Sequence, residues 1–206
     1  MIVVAACFRI ETAWIPKIPG TRVVRVRIGA PSGFARAITA GGRPDLLIST
    51  GFCGGLDPRL GTGDLILATE VIHHGRAIAI APELLTRARA ALAREGIHPA
   101  PGRLVTAARV IGKKAEKERL HNETEALGVE MEAGRLAEWA DDNGLPFLAV
   151  KSVLDPAGVE LPLSKPGDVL RHPIAAISAG FAAIRAGRAI GRGIGTLARE
   201  FAGGEG

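Results

Sequence analysis

The segment Gly128-Val129-Glu130-Met131-Glu132-Ala133 places the tightest constraint on how this chain can fold. An apolar approach, Ala126-Leu127, leads into two carboxylates separated by one apolar residue, and a helix-like run follows from Gly134 to Asn143. In an extended segment, residues i and i+2 share a face. Glu130 and Glu132 therefore point the same way unless the strand breaks into the helix between them. An unpaired buried carboxylate is costly. Two acids at a strand-to-helix junction thus either cap the following helix, whose N-terminus suits negative charge, or hold the hydroxyl donors of a ligand.

Around this junction lie apolar runs without alternation: Ile2 to Ala6, Asp45 to Thr50, and Phe147 to Leu154. Such runs read as strands buried on both faces. In open α/β sheets ligands collect at the carboxyl ends of strands. Glu11, just beyond the first strand, is thus a candidate acid or base, and Arg9 a candidate anion contact; a solvated loop is the plainer alternative for both. Asp155 ends the 147–154 strand before Pro156, either as a turn residue or as a proton donor at a site edge. Thr50-Gly51-Phe52-Cys53-Gly54-Gly55-Leu56 is a glycine-rich turn whose backbone N–H groups could approach a ligand oxygen. It lacks the lysine and spacing of a nucleotide-phosphate loop.

The remaining elements follow from pattern. Thr21 to Ile28 alternates, with Val24, Val26 and Ile28 against Arg25 and Arg27, a half-exposed strand. Pro82 to Glu95 is a helix with proline at its start, burying Leu84, Leu85, Ala88, Ala91 and Leu92. Gly102 to Ile111 reads as a strand. The charged run Lys113 to His121 is expected to be a solvated helix or a mobile loop. His73 and His74, adjacent on a strand, face opposite ways and do not suit joint metal ligation. Cys7 and Cys53 have no metal or redox spacing and fit a reducing cytosol, so no metal site is expected. The N-terminus has no signal-peptide form, and no run reaches the roughly 18 apolar residues that span a bilayer.

The 206 residues, 47% hydrophobic, are ample for one buried core. The net charge of +5 favours anionic partners. Aromatics are scarce at 4%, so a base pocket must rely on aliphatic residues, Met and backbone. Nucleic acid is not an expected partner, because no stacking aromatics are interleaved with the basic residues.

Taken together, Glu11 after the first strand, the Thr50–Gly55 turn, Val-Glu-Met-Glu-Ala at 129–133 and Asp155 after a later strand occur in an order that resembles the nucleoside phosphorylase and nucleosidase superfamily. The likeness lies with the branch of purine nucleoside phosphorylases and methylthioadenosine/S-adenosylhomocysteine nucleosidases. It covers roughly residues 1 to 160, a catalytic domain, with 161–206 as its C-terminal helical extension. The resemblance implies an α/β fold, a three-layer α/β/α sandwich with a mixed, partly barrel-like central sheet. It also implies roles. Glu132 would bind ribose hydroxyls with Met131 against the sugar, and Asp155 would protonate purine N7. Glu11 would activate water. Phe52, Cys53 and Gly54, with Arg9 and Arg27, would line the side of the nucleophile, and Val110 and Ile111 would contact the base. No cofactor is implied; phosphate is the expected co-substrate. Glu11 argues for water, but Phe52 stands where the nucleosidases carry a small hydroxyl residue, a departure that counts against simple hydrolysis. Superfamily members imply a homo-oligomer, a dimer or larger.

Beyond residue 160 the chain changes character. Leu161 to Gly167 is a linker, after which Leu170, Ile174, Ile177, Phe181 and Ile184, then Ile190, Ile194, Leu197 and Phe201, recur at helical spacing. Within 165–201 six basic residues oppose Asp168 and Glu200. A basic amphipathic helix over 168–201 is either a membrane-surface element or a core helix with a solvated face. Gly187, Gly191, Gly193 and Gly195 weaken its second half, at roughly 1 kcal/mol each relative to Ala. This tail and Ser-Thr-Gly-Phe-Cys-Gly-Gly-Leu at 49–56 resemble the hopanoid-associated phosphorylases. That likeness implies adenosylhopane as substrate, adenine and a (phospho)ribosylhopane as products, and a cytoplasmic protein peripheral on the inner membrane. A soluble hydrolase of methylthioadenosine, S-adenosylhomocysteine or futalosine-like nucleosides is the alternative, and a non-catalytic binding module a third.

Overall fold

The computed structural model describes residues 1–26, 33–160 and 173–203, with side chains of the last helix described from residue 180. Arg27, Ile28, the linker from Leu161, Asp168, Leu170 and Arg171 lie outside the described residues, as do the side chains of Ile174 and Ile177.

β1 (Ile2–Ala6) is buried along its whole length, as its unbroken apolar run requires. It pairs in parallel with β2 (Thr21–Arg25) and with β3 (Leu46–Gly55). Helix α1 (Arg9–Thr12) is one turn just after β1, and α2 (Gly33–Thr39) packs against β2. β3 does not stop at Thr50. It runs through the glycine-rich segment expected as a turn, because its neighbours on both sides supply backbone partners. β8 (Phe147–Asp155) lies parallel to β3 from Leu47 to Cys53, and β7 (Gly128–Glu130) takes its last two residues antiparallel.

The other strands close a ring. β4 (Leu65–His73) pairs antiparallel with β8 and parallel with β6 (Ala100–Thr106), and β6 pairs parallel with β7. The circuit β3–β8–β4–β6–β7 returns to β3, so the mixed sheet is partly a barrel, with β1 and β2 extending from β3. β5 (Arg76–Ala79) is an antiparallel hairpin on β4. Helices flank the sheet: α3 (Pro82–Arg94), α4 (Lys114–Thr124), α5 (Ala133–Asp142) and α6 (Pro173–Ala202).

Several expectations are corrected here. β6 ends at Thr106, and 107–113 is loop rather than strand. Lys113 to His121 is neither fully solvated nor a loop, since α4 buries Lys117 completely. The two histidines do not oppose each other. His74 sits in the β4–β5 turn with φ +49°, which brings its ring to 4.1 Å from that of His73, and His73 Nδ1 lies 2.8 Å from Glu138.

The described part of α6 packs one face on the core. Ile190, Ile194 and Leu197 are fully buried in the core, and Arg87 of α3 stacks on Phe201 and pairs with Glu200 at 2.9 Å. Its glycines allow close approach: a Cβ at Gly187 or Gly191 would fall 2.2–2.3 Å from atoms of Trp14. Nearer its start the helix exposes Phe181 (71%), Ile184, Arg185, Arg188 and Arg192. No helix among the described residues is long and apolar enough to cross a membrane.

Candidate active site

The two acids of the 128–133 segment part company. β7 ends at Glu130 and α5 begins at Ala133, so the backbone turns between the carboxylates. Glu130 bends back over the helix start. Its Oε2 accepts the N–H groups of Glu132 at 3.0 Å and Ala133 at 2.8 Å, and its Oε1 accepts the Thr106 hydroxyl. It satisfies orphan donors at an N-terminus, the capping role expected of an acid there. Glu132 stands at the N-cap position, half-buried, with its side chain on the cavity.

Lys151 binds both. Fully buried in β8, its Nζ lies 3.0 Å from Glu130 Oε2 and 3.4 Å from Glu132 Oε2, and donates to the Thr50 carbonyl at 3.1 Å. One ammonium serves two carboxylates, and the balance falls unevenly. Burial disfavours the Glu130 anion, yet Lys151, Thr106 and the Ala133 N–H outweigh it and hold the Glu130 carboxyl below the usual range. Burial pushes Glu132 up to about 7 against the pull of Lys151, and the Glu130 charge adds to the rise. Burial also opposes the charge on Lys151, but the two carboxylates keep it protonated above its ordinary value.

Glu11 enters from the other side. The one-turn α1 buries it, and its Oε2 accepts N–H groups from Cys7 (3.0 Å) and Phe8 (2.7 Å). Its Oε1 accepts from Phe52 N–H at 2.8 Å. Gly51 makes room for it: with φ +130°, a Cβ there would lie 2.7 Å from Glu11 Oε1.

Asp155 comes from the end of β8. The β3–β8 register slips between Cys53 and Gly54, so Gly54 pairs with Asp155. This bulge re-aims the last residue of the strand. Asp155 Oδ2 receives a hydrogen bond from Lys117 at 2.6 Å. Burial raises the Asp155 carboxyl above its ordinary value, against the opposing effect of Lys117. Burial pushes the neighbouring Cys53 thiol far up, which favours its neutral form.

These groups surround one cavity of about 200 Å³. Glu11, Phe52, Cys53, Gly54, Val110, Ile111, Met131, Glu132 and Asp155 all line it. Arg9 does not: it is exposed and outside the lining. Arg27 lies outside the described residues. Glu130, one of the two acids weighed for ligand hydroxyls, also lines the cavity, and Phe8, Arg109, Val129 and Leu154 line it without having been singled out as site residues. Arg109 is paired two-pronged with Glu116 at 3.0 and 3.1 Å. Lys151 and Lys117, which hold the acids, were also missed. Lys151 had a signal, since a lone lysine in an apolar strand needs buried carboxylates. Lys117 had none, being one charge among many. The arrangement can bind hydroxyls through Glu132, protonate a base through Asp155 and accept a proton at Glu11.

Comparison with known proteins gives the same frame. Residues 8–179 match the family model of the phosphorylase superfamily. The 5'-methylthioadenosine/S-adenosylhomocysteine nucleosidase of Geobacillus thermodenitrificans is 32% identical over 137 residues, 57% of this chain and 58% of that protein. The protein of the same description from Staphylococcus carnosus is 27% identical over 135 residues, 57% of this chain and 59% of its own length. The matched part therefore spans under two thirds of these relatives. Among solved structures, futalosine hydrolase of Helicobacter pylori superposes with TM-score 0.77 at 18% identity, over 95% of this chain and 96% of that one. The S-adenosylhomocysteine nucleosidase of Streptococcus pyogenes does so with TM-score 0.75 at 16% identity, over 100% and 97%. With a partly closed mixed sheet shared with these folds and a family match running through most of its length, the chain belongs to the phosphorylase superfamily.

Proposed function

We propose that this protein cleaves the N-glycosidic bond of an adenosine-type nucleoside and releases adenine. The observation that carries the proposal is the convergence of Glu11, Glu132 and Asp155 on one cavity. Three acids from β1's exit, the β7–α5 junction and the end of β8 suit the three tasks of the reaction. Glu132 accepts the ribose hydroxyls and, with Met131 against the sugar, orients the ring. Asp155 gives its proton to purine N7 as the C1′–N9 electron pair moves onto the base, a general-acid effect of about 10²–10⁴. Val110 and Ile111 form the apolar wall for the base.

Water is the nucleophile in this scheme. It forms the new C1′–O bond and passes a proton to Glu11. Two features favour it over phosphate. The Phe52 N–H, which could have faced an anion, donates to Glu11, and Arg9 is exposed and not among the residues that line the cavity. A carboxylate at that place would repel a phosphate dianion.

The finer proposal is a lipid-linked substrate, adenosylhopane, with ribosylhopane as the second product. It draws support from the exposed apolar residues at the cavity, Phe8 (52%) and Val110 (60%). They would meet a bulky apolar 5′ group, while Phe181, Ile184 and the arginines of α6 would face an anionic membrane surface. The second reading, methylthioadenosine or S-adenosylhomocysteine as substrate, is favoured by the names of the curated relatives. Mass spectrometry of adenine and the sugar product tests all of this, with adenosylhopane and methylthioadenosine each incubated with and without phosphate. Adenine and free ribosylhopane in phosphate-free buffer is the expected result. A strict phosphate requirement removes the hydrolytic scheme, and no adenine from either compound removes the function.

A further inference from the structure

Lys117 belongs to a charged stretch, yet its side chain is fully buried. Four oxygens ring its ammonium: Asp155 Oδ2 at 2.6 Å, and the carbonyls of Asp155 at 3.2 Å, Pro156 at 3.0 Å and Val159 at 3.0 Å. Its neighbours on α4 behave differently. Glu116 and Arg119 make their ion pairs towards solvent, with Arg109 and Glu123. An ammonium has three N–H donors. The three carbonyls alone could use them to fasten the 155–159 segment to α4, yet the shortest contact is to the carboxylate. Burying a charge is costly unless it is paired, and this charge is paired with a residue of the cavity wall.

We propose, building on the assignment of Asp155 to the purine, that Lys117 is a positioning residue for departure of the base. It fixes the Asp155 carboxyl through Oδ2. It also sets a positive charge directly behind the carboxyl group that parts with its proton. As the C1′–N9 bond breaks, the electron pair goes to the purine and the Asp155 proton to N7. The carboxylate left behind is met by an ammonium already in contact with it, and Lys117 keeps its own protons throughout. Burial raises the Asp155 carboxyl above its ordinary value, against the opposing effect of Lys117.

The test compares leaving groups. A 4-nitrophenyl riboside departs without protonation, whereas the adenine of methylthioadenosine or adenosylhopane requires it. Lys117→Met is expected to lower kcat for adenine release about 10- to 100-fold, within the range of general-acid effects. KM and cleavage of the nitrophenyl riboside should stay within about threefold of the unaltered protein. Equal slowing of both substrates, or undiminished adenine release, overturns the proposal. If Lys117→Met alone does not fold, with Asp155 left unpaired, the comparison moves to Asp155→Asn with and without Lys117→Met. A residue acting through Asp155 adds no more than about a twofold effect there, and a further tenfold loss overturns the proposal. An unaltered protein that cleaves the nitrophenyl riboside but releases no adenine unseats the nucleoside assignment, and this proposal with it.

Discussion

In the role proposed for it, Glu132 holds ribose hydroxyls best as an anion, and its burial brings that ionisation into the physiological range. Burial pushes it up to about 7, so below that pH it is protonated and loses acceptor capacity for ribose hydroxyls. The expected kcat/KM therefore rises from pH 6 to pH 8, and Glu132→Gln flattens the rise. The substitution should also cost about 10- to 100-fold, the worth of roughly 1.5–3 kcal/mol for hydrogen bonds to a charged group. A pH series on both proteins checks this. The stability effect has a defined sign. An unfolded glutamate ionises near about 4.3 and the folded one near 7, so the contribution of the protonated form is lost as pH rises across that window. Gly51→Ala tests the other carboxylate. A methyl 2.7 Å from Glu11 Oε1, at φ +130°, should displace Glu11 and destabilise by about 1–3 kcal/mol, measured by denaturant titration alongside adenine release. The positions of Glu11 and Asp155 near strand ends were legible because apolar runs mark strands and acids just after them stand out, but pattern alone left a solvated loop and a turn residue equally open for them, and only the order of motifs shared with the superfamily drew them together with Glu132. That Glu130 is taken up in capping α5 was not legible from the spacing of the two acids, because it depends on the backbone turn at 131–132 and on Lys151 arriving from β8; the choice of Glu132 for the ribose came from the family resemblance alone.

At the level of elements, the strands were read well where hydrophobicity decides and poorly where pairing decides. β1 and β8 follow their apolar runs. β3 outruns its own, since Gly51, Gly54 and Gly55 pack among Glu11, Asp155 and Val153 and their backbone is paired by β7 and β8. Periodicity found the apolar stripe of α6, but it could not say that Ile190, Ile194 and Leu197 are buried while Phe181 is bare. That division is set by Trp14 and the sheet, far away in sequence. The glycines of α6 look like weaknesses by propensity and act as a seat for Trp14. Gly191→Ala should thus destabilise by about 1–3 kcal/mol through overpacking, despite a helix-propensity gain of about 1 kcal/mol; thermal melts give the sign. Lys151 ties β8 to β3 and to the β7–α5 junction. Lys151→Met leaves buried carboxylates uncompensated and should cost about 3–5 kcal/mol, read as a lowered denaturant midpoint.

Across the whole molecule, the late strand decides when there is an active site at all. β8 enters between β3 and β4, completing the circuit that their neighbours begin, and it carries both the counter-ion of the Glu130–Glu132 pair and the acid assigned to the purine. During translation, at about 5–20 residues per second, the chain through α5 emerges before either arrives. Two carboxylates then sit at the head of a forming helix with no cation to neutralise them, and the seam between β3 and β4 lies open. Until that stretch leaves the ribosome, the wall it seals and the chemistry it delivers are missing together.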